Sequence, residues 1–433
     1  MIKKLFLFIF AVSLIHLAKA QNVTFDAKGL LFLSDADMSA FALMNGKLQK
    51  SGEDEDQISA LTFPLSYAKS DQIKSDKASN SVIGTKRTVA ITSDQRLAYV
   101  LETKGETNYD ETFIKKMPEG FPKGKYVTVI NIEKLNKPTS LYRFPVGENP
   151  TSIAISPDNK YLAITCEEYG KEIQIYEISQ SEQGKPLRII KKPKNLAPGH
   201  IVDLAWHSSG QFLAYINQDE ANCGLIRVLR DGPSQQIIRL ENIGSPVKIG
   251  GKPTLGKFTP DGKYFLILDQ KKDWTDKDLN EKGELFVVRF NTSEGQMHSL
   301  LAKASVGENP IGFDIHPDGS YILVNNLERS FYSPETYASS GEASLSVLRL
   351  EFDGSIENIK EYPLEGTLPA SAVFDKTGKN IAYSVYQYLT FGFPFGGIEF
   401  LNFDPLSKEI MTPQKGKIYV PRGVNSITVI KEY

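Results

Sequence analysis

The chain has 433 residues, with 50 basic and 52 acidic side chains and a net charge of −2 at pH 7. This near balance gives no long-range pull on nucleic acid or on an anionic membrane surface, so neither is an expected partner. Two cysteines, Cys166 and Cys223, are too few for a disulfide framework and read as two buried thiols.

The chain opens with MIKKLFLFIFAVSLIHLAKA, in which Lys3 and Lys4 precede an apolar stretch from Leu5 to Ala18, followed by Ala18-Lys19-Ala20 in a small-x-small pattern. That is the layout of a cleaved secretory leader over residues 1–20, so the product is expected to be secreted or periplasmic, with 21–433 as one domain. No later segment is long and apolar enough to cross a bilayer as a helix.

Beyond the leader, an apolar run, a tight turn and a second apolar run recur in that order. The copies are 88–101 (TVAITSDQRLAYVL), 152–166 (SIAISPDNKYLAITC), 203–216 (DLAWHSSGQFLAYI), 255–268 (LGKFTPDGKYFLIL), 312–325 (GFDIHPDGSYILVN) and 371–385 (SAVFDKTGKNIAYSV), with a weaker one at 22–34 (NVTFDAKGLLFLS). Asp, Asn and Gly suit the turns, and the flanks are rich in Val, Ile, Tyr and Phe, so each copy predicts a hairpin. The turns lie roughly fifty to sixty-five residues apart, room for a four-stranded blade with loops. Third strands follow at 172–178, 225–229, 285–290, 345–350 and 398–403. The expected fold is all-β, a seven-bladed propeller. Residues 421–430 (PRGVNSITVI) echo the blade entry 148–156 (ENPTSIAIS), so 425–430 is expected to join the N-terminal blade and close the ring, removing two exposed edges.

Val146-Gly147-Glu148-Asn149-Pro150 recurs identically as Val306-Gly307-Glu308-Asn309-Pro310, each ahead of a Pro-Asp hairpin. This pattern resembles the YVTN-type repeats and the lactonase-like seven-bladed propellers, which include 6-phosphogluconolactonases and muconate cycloisomerases, over most of residues 85–405. The resemblance implies the propeller fold and, for catalytic members, an Arg-His pair entering an inner strand and a Glu ending the next strand. Counting back from the turn, the Arg and His places hold Arg87 and Thr88 in the second blade, Thr151 and Ser152 in the third, Val202 and Asp203 in the fourth, and Ile311 and Gly312 in the sixth. Glu167 matches the Glu position, while His200 lies near an entry but out of register.

In a four-stranded blade, the entry to the inner strand and the link from second to third strand emerge on one face. That face is expected to carry Glu102, Glu167, Asp219, Asp269, Asn325 and Glu328 at the ends of second strands, with Asp35 and Asp37 in the first blade and Arg87, His200 and Arg422 at entries. Converging carboxylates suit a divalent cation such as calcium at the channel mouth, acid–base work, or a polyhydroxy or cationic ligand. The long links 103–125, 270–283, 328–342 and 387–397 rise above the same rim and bring Trp274, Phe331 and Phe393, which suit sugar faces, apolar ligands or a protein. Segment 49–84, with the acidic run 53–56, reads as a solvated loop. There is no HExxH, CxxC, GxSxG or phosphate loop. Two functions follow: a monomeric binding module for a small molecule, glycan or protein at the loop face, or a hydrolase or lyase acting on a lactone or sugar acid.

Overall fold

Six tight turns set the architecture. In each, the first turn residue (Thr92, Ser156, His207, Thr259, His316 or Asp375) donates its N–H to the carbonyl five residues on and accepts from the N–H three residues on. The residue making that last bond has φ between 54° and 84°, which is why Gly fills four of the six places (Gly210, Gly262, Gly319, Gly378) and Gln95 and Asn159 the other two.

The structure is a computed structural model and describes residues 23–40, 54–65, 72–79, 87–106, 121–272, 281–293, 297–330, 342–389 and 395–432. The expected leader, 1–20, lies outside them. Around the turns, the strands form seven four-stranded antiparallel sheets in a ring, the expected seven-bladed propeller. Innermost are Val424–Ile430, Val89–Ile91, Pro150–Ile155, Ile201–Trp206, Pro253–Phe258, Pro310–Ile315 and Ala372–Phe374, in blades one to seven.

The first blade closes the ring as expected, with one correction. Residues 23–28 are not the first arm of a hairpin. Only Gly29–Ser34 is a strand, and its inner neighbour is Val424–Ile430, pairing Leu30 with Val429 and Phe32 with Ile427. The displaced segment runs along the seventh blade instead, where the Thr24 backbone and the Gln414 amide exchange two 2.9 Å bonds and the Asp26 N–H donates to Asp375. A second correction concerns 49–84, which holds the outer strands Gln57–Thr62 and Ile73–Lys77 of this blade. The edge strand reads IKSDK, and its lysines guard an exposed edge.

Among the described residues, apolar burial is concentrated between neighbouring blades, in layers that take in every adjacent pair. Both cysteines are buried and free. Among the described residues no helix is long and apolar enough to cross a membrane. In blades three to six, a register shift follows the first residue of the inner strand and leaves Thr151, Val202, Thr254 and Ile311 without a ladder partner. Such bulges re-aim the next side chain, and the two that matter for the channel are Ser152 and Asp203.

Candidate functional site

Second strands and blade entries do share one face, but most of its carboxylates are engaged with nearby backbone. Glu102 is buried and accepts from the Lys125 N–H at 2.8 Å; burial pushes its carboxyl above the usual carboxylate range. Asp219 accepts from the His200 N–H at 2.9 Å. Asp269, with no exposed surface, accepts from the N–H groups of Gly251, Lys252 and Lys271 at 3.0, 2.6 and 3.0 Å. Glu328 accepts from the Glu308 N–H at 3.2 Å and the Ser344 hydroxyl at 2.7 Å, and its carboxyl too is raised by burial. These groups tie the ends of second strands to neighbouring loops, and Asp219, Asp269 and Glu328 each hold the entry loop of their own blade. Asn325 is fully buried, and its amide atoms have no hydrogen-bond partner among the described residues. Arg422 donates to the Ala36 carbonyl at 3.0 Å and to Asp54 at 3.2 Å. Asp54 and Glu55 of the acidic run are exposed, and Asp54 is paired with this arginine just ahead of the closing strand.

Glu167 differs. It is exposed, accepts from the Asn149 amide at 2.7 Å, and turns its other oxygen toward Lys104 at 3.9 Å and His200 at 3.8 Å. Second, third and fourth blades thus deliver an ammonium, a carboxylate and an imidazole to one point on the rim. Burial holds the His200 imidazole below its ordinary value against the pull of Glu167 and Asp219, and also lowers the Lys104 ammonium. At neutral pH His200 is therefore uncharged, and it can accept or pass a proton. The same shift fixes a sign for stability. Below the ordinary value near 6.5, the unfolded chain takes up a proton that folded His200 does not, so stability is lost as pH falls through that window. Between about pH 7.5 and 5, chemical denaturation should show a smaller loss for His200→Gln than for the wild type; equal losses would remove this assignment.

Deeper on the axis, Arg87 reaches from the second blade to Asp203 in the fourth. Its Nε donates to one carboxylate oxygen at 2.9 Å and its Nη2 to the other at 3.3 Å, while Nη2 also meets the Gly256 carbonyl of the fifth blade. Asp203 is 1 % exposed and further accepts from Ser152 Oγ at 2.6 Å and the Gly256 N–H at 2.8 Å. Four donors on two oxygens fully satisfy this buried carboxylate. Asp203 stands at the family's His place in its blade and Arg87 at the family's Arg place in another, so the structure joins them across the ring. Sequence reasoning placed Asp203 and Ser152 at the His places of their blades without giving them a role, and did not single out Lys104. The signal available for Asp203 was a lone carboxylate inside an otherwise apolar inner strand, IVDLAW, which must find a partner.

Asp35, Asp37 and Asp56 in the first blade each place one carboxylate oxygen within 4.8 Å of the others, a spacing open to a hard cation. Trp274, Phe331 and Phe393 lie outside the described residues. Of the nearby loop aromatics, Tyr388 is buried and donates to Glu399 at 2.7 Å.

No family model and no curated protein matches the chain. Among solved structures it is similar to a periplasmic gluconolactonase of Pseudomonas aeruginosa, at 14 % identity and a TM-score of 0.59, covering 93 % of this chain and 100 % of that one. Two proposed 6-phosphogluconolactonases stand beside it. That of Bacteroides uniformis has 10 % identity, a TM-score of 0.60 and coverage of 93 % and 100 %; that of Bacteroides fragilis has 12 %, 0.58 and 93 % and 98 %. At such identities the likeness shows the fold alone: the chain has the seven-bladed propeller fold of lactonase-like proteins.

Proposed function

We propose that the chain is an exported propeller that binds a small polyhydroxy ligand, of sugar type, at its loop face. One observation carries the reading: three blades bring Lys104, Glu167 and His200 together on the rim, while Arg87, the one arginine at the Arg place in the blades compared, is withdrawn into a buried pair with Asp203. A carboxylate that accepts hydroxyl protons, flanked by an ammonium and an imidazole, suits a hydroxylated ligand better than a strongly charged one. The apolar run and small-residue site at 1–20 support export to the periplasm or beyond. Calorimetric titration with D-glucose and maltotriose tests the binding. Saturable heat is expected, weakened about tenfold in Glu167→Gln by loss of one charge-assisted bond; no heat from either sugar, or an unchanged Glu167→Gln, would sink it. We also assign the Asp35, Asp37 and Asp56 cluster to a divalent cation such as calcium. The same calorimetry with calcium chloride should give a one-site isotherm that Asp37→Asn removes.

A second reading, a hydrolase or lyase acting on a lactone or sugar acid, is favoured by one feature. An uncharged His200 beside Glu167 has the makings of a general base that draws a proton from water. The three groups 3.8 and 3.9 Å apart lie beyond direct hydrogen-bond reach of one another, so a bound substrate or water would have to complete the arrangement.

A further inference from the structure

Below the Arg87–Asp203 pair the axis opens into a cavity of about 470 Å³, within the ~300–1,000 Å³ of small-molecule sites. Its walls are the inner strands of blades five, six, seven and one, with Val89 of the second, and its far end lies among the hairpin turns, on the face opposite the blade entries. Four cationic side chains border it, Arg87, Lys257, Lys376 and Lys431, against two carboxylates, Asp314 and Asp375.

Both carboxylates are already engaged. Asp314 accepts from Lys257 Nζ and from the Phe374 N–H, each at 3.1 Å. Asp375 accepts from the Asp26 N–H at 3.0 Å and the Asn380 amide at 2.7 Å. Lys376, whose Nζ donates to the Glu432 carbonyl at 3.3 Å, and Lys431 follow the ends of their inner strands and stand exposed at the outer end of the cavity, leaving it a small excess of positive charge once Asp203 is set against Arg87. At the inner end, Arg87 has five N–H donors in a rigid fork. Its Nε and Nη2 are held by Asp203 and Gly256, and Nη1 has no hydrogen-bond partner among the described residues. The guanidinium is therefore fixed in place with two N–H groups unused, beside a cavity it helps to line. Ser426 and Thr428 add hydroxyls to the wall.

We infer that this cavity is a second site, separate from the loop-face site proposed above, and that it takes a small organic anion of the carboxylate or phosphate type, with a body of sugar size, entering from the turn face. The anionic group meets the two unused N–H groups of Arg87 Nη1, and the lysines at the outer end draw the ligand in.

The test is titration of the full chain with D-gluconate and with glycerol phosphate, with D-glucose as a neutral control. At least one anion should bind, more weakly as salt is raised. Arg87→Lys keeps a charge opposite Asp203 but deletes the Nη1 donors, and should weaken binding about tenfold. The paired surface changes Lys376→Glu and Lys431→Glu should weaken it at least as much with an unchanged melting temperature, whereas Glu167→Gln should leave it alone. Gluconate binding only identifies a carboxylate site, and glycerol phosphate only a phosphate site. Binding of neither anion, binding indifferent to both sets of cation changes, or binding lost in Glu167→Gln would overturn the inference, the last by placing the anion at the loop face.

Discussion

Deleting residues 422–433 should lower the melting temperature of the whole protein by more than about 10 °C or prevent folding outright. The segment is the innermost strand of the first blade, and it pairs along the whole of Gly29–Ser34. Its Val424, Ile427 and Ile430 are 0, 5 and 1 % exposed. At ~1.5–3 kcal/mol for each fully buried side chain, their loss amounts to roughly 5–9 kcal/mol, comparable with the ~5–15 kcal/mol that holds a typical domain folded. Truncation also strips the inner edge of Gly29–Ser34 of its only partner on that side, so aggregation should accompany the destabilisation. Calorimetry of the truncated and full-length chains decides it, with a chain lacking only 431–433 as the control that keeps the strand. A truncated protein that melts with the full-length one would mean that the ring is not held by this strand.

The second large effect is expected at Asp203. Replacing it with Ala strands the Arg87 guanidinium and leaves Ser152 Oγ and the Gly256 N–H without their acceptor. Removing one partner of a buried pair costs ~3–5 kcal/mol; with Arg87 at 20 % exposure, some water reaches the bereaved charge, and about 3 kcal/mol is expected. Replacing both, Arg87→Met with Asp203→Leu, should recover most of the loss, because a matched apolar pair carries no unpaired charge. Urea denaturation of the two single variants and the double gives the coupling. Additive losses, or an Asp203→Ala protein as stable as the wild type, would show that the pair does not clasp the channel.

Much of the fold was legible because local chemistry dictates it. A turn that needs positive φ at its fourth residue announces itself through Gly or Asn, and it does so in five of the six hairpins, with Gln95 the exception. Closure was legible because the C-terminal segment repeats the entry pattern of a blade. The first blade was harder to read, since its inner strand comes from the far end of the chain and its outer strand IKSDK is an edge with little apolar periodicity. The site was legible only as a rim. Strand order says which residues reach it, but not that Asp269 would turn onto three backbone N–H groups while Glu167 stayed exposed. The Arg87–Asp203 pair spans 116 residues and depends on a bulge at Val202 that re-aims the next side chain, and neither is written in local composition.

The central claim is that the rim binds rather than turns over its ligand, and hydrolysis of 6-phosphogluconolactone by the purified protein tests it most directly. The account predicts a rate no greater than that of the spontaneous reaction, in wild type and in His200→Gln and Glu167→Gln alike. Turnover in the ~1–10³ per second range of ordinary enzymes, abolished by either substitution, would contradict it and make His200 and Glu167 the catalytic pair.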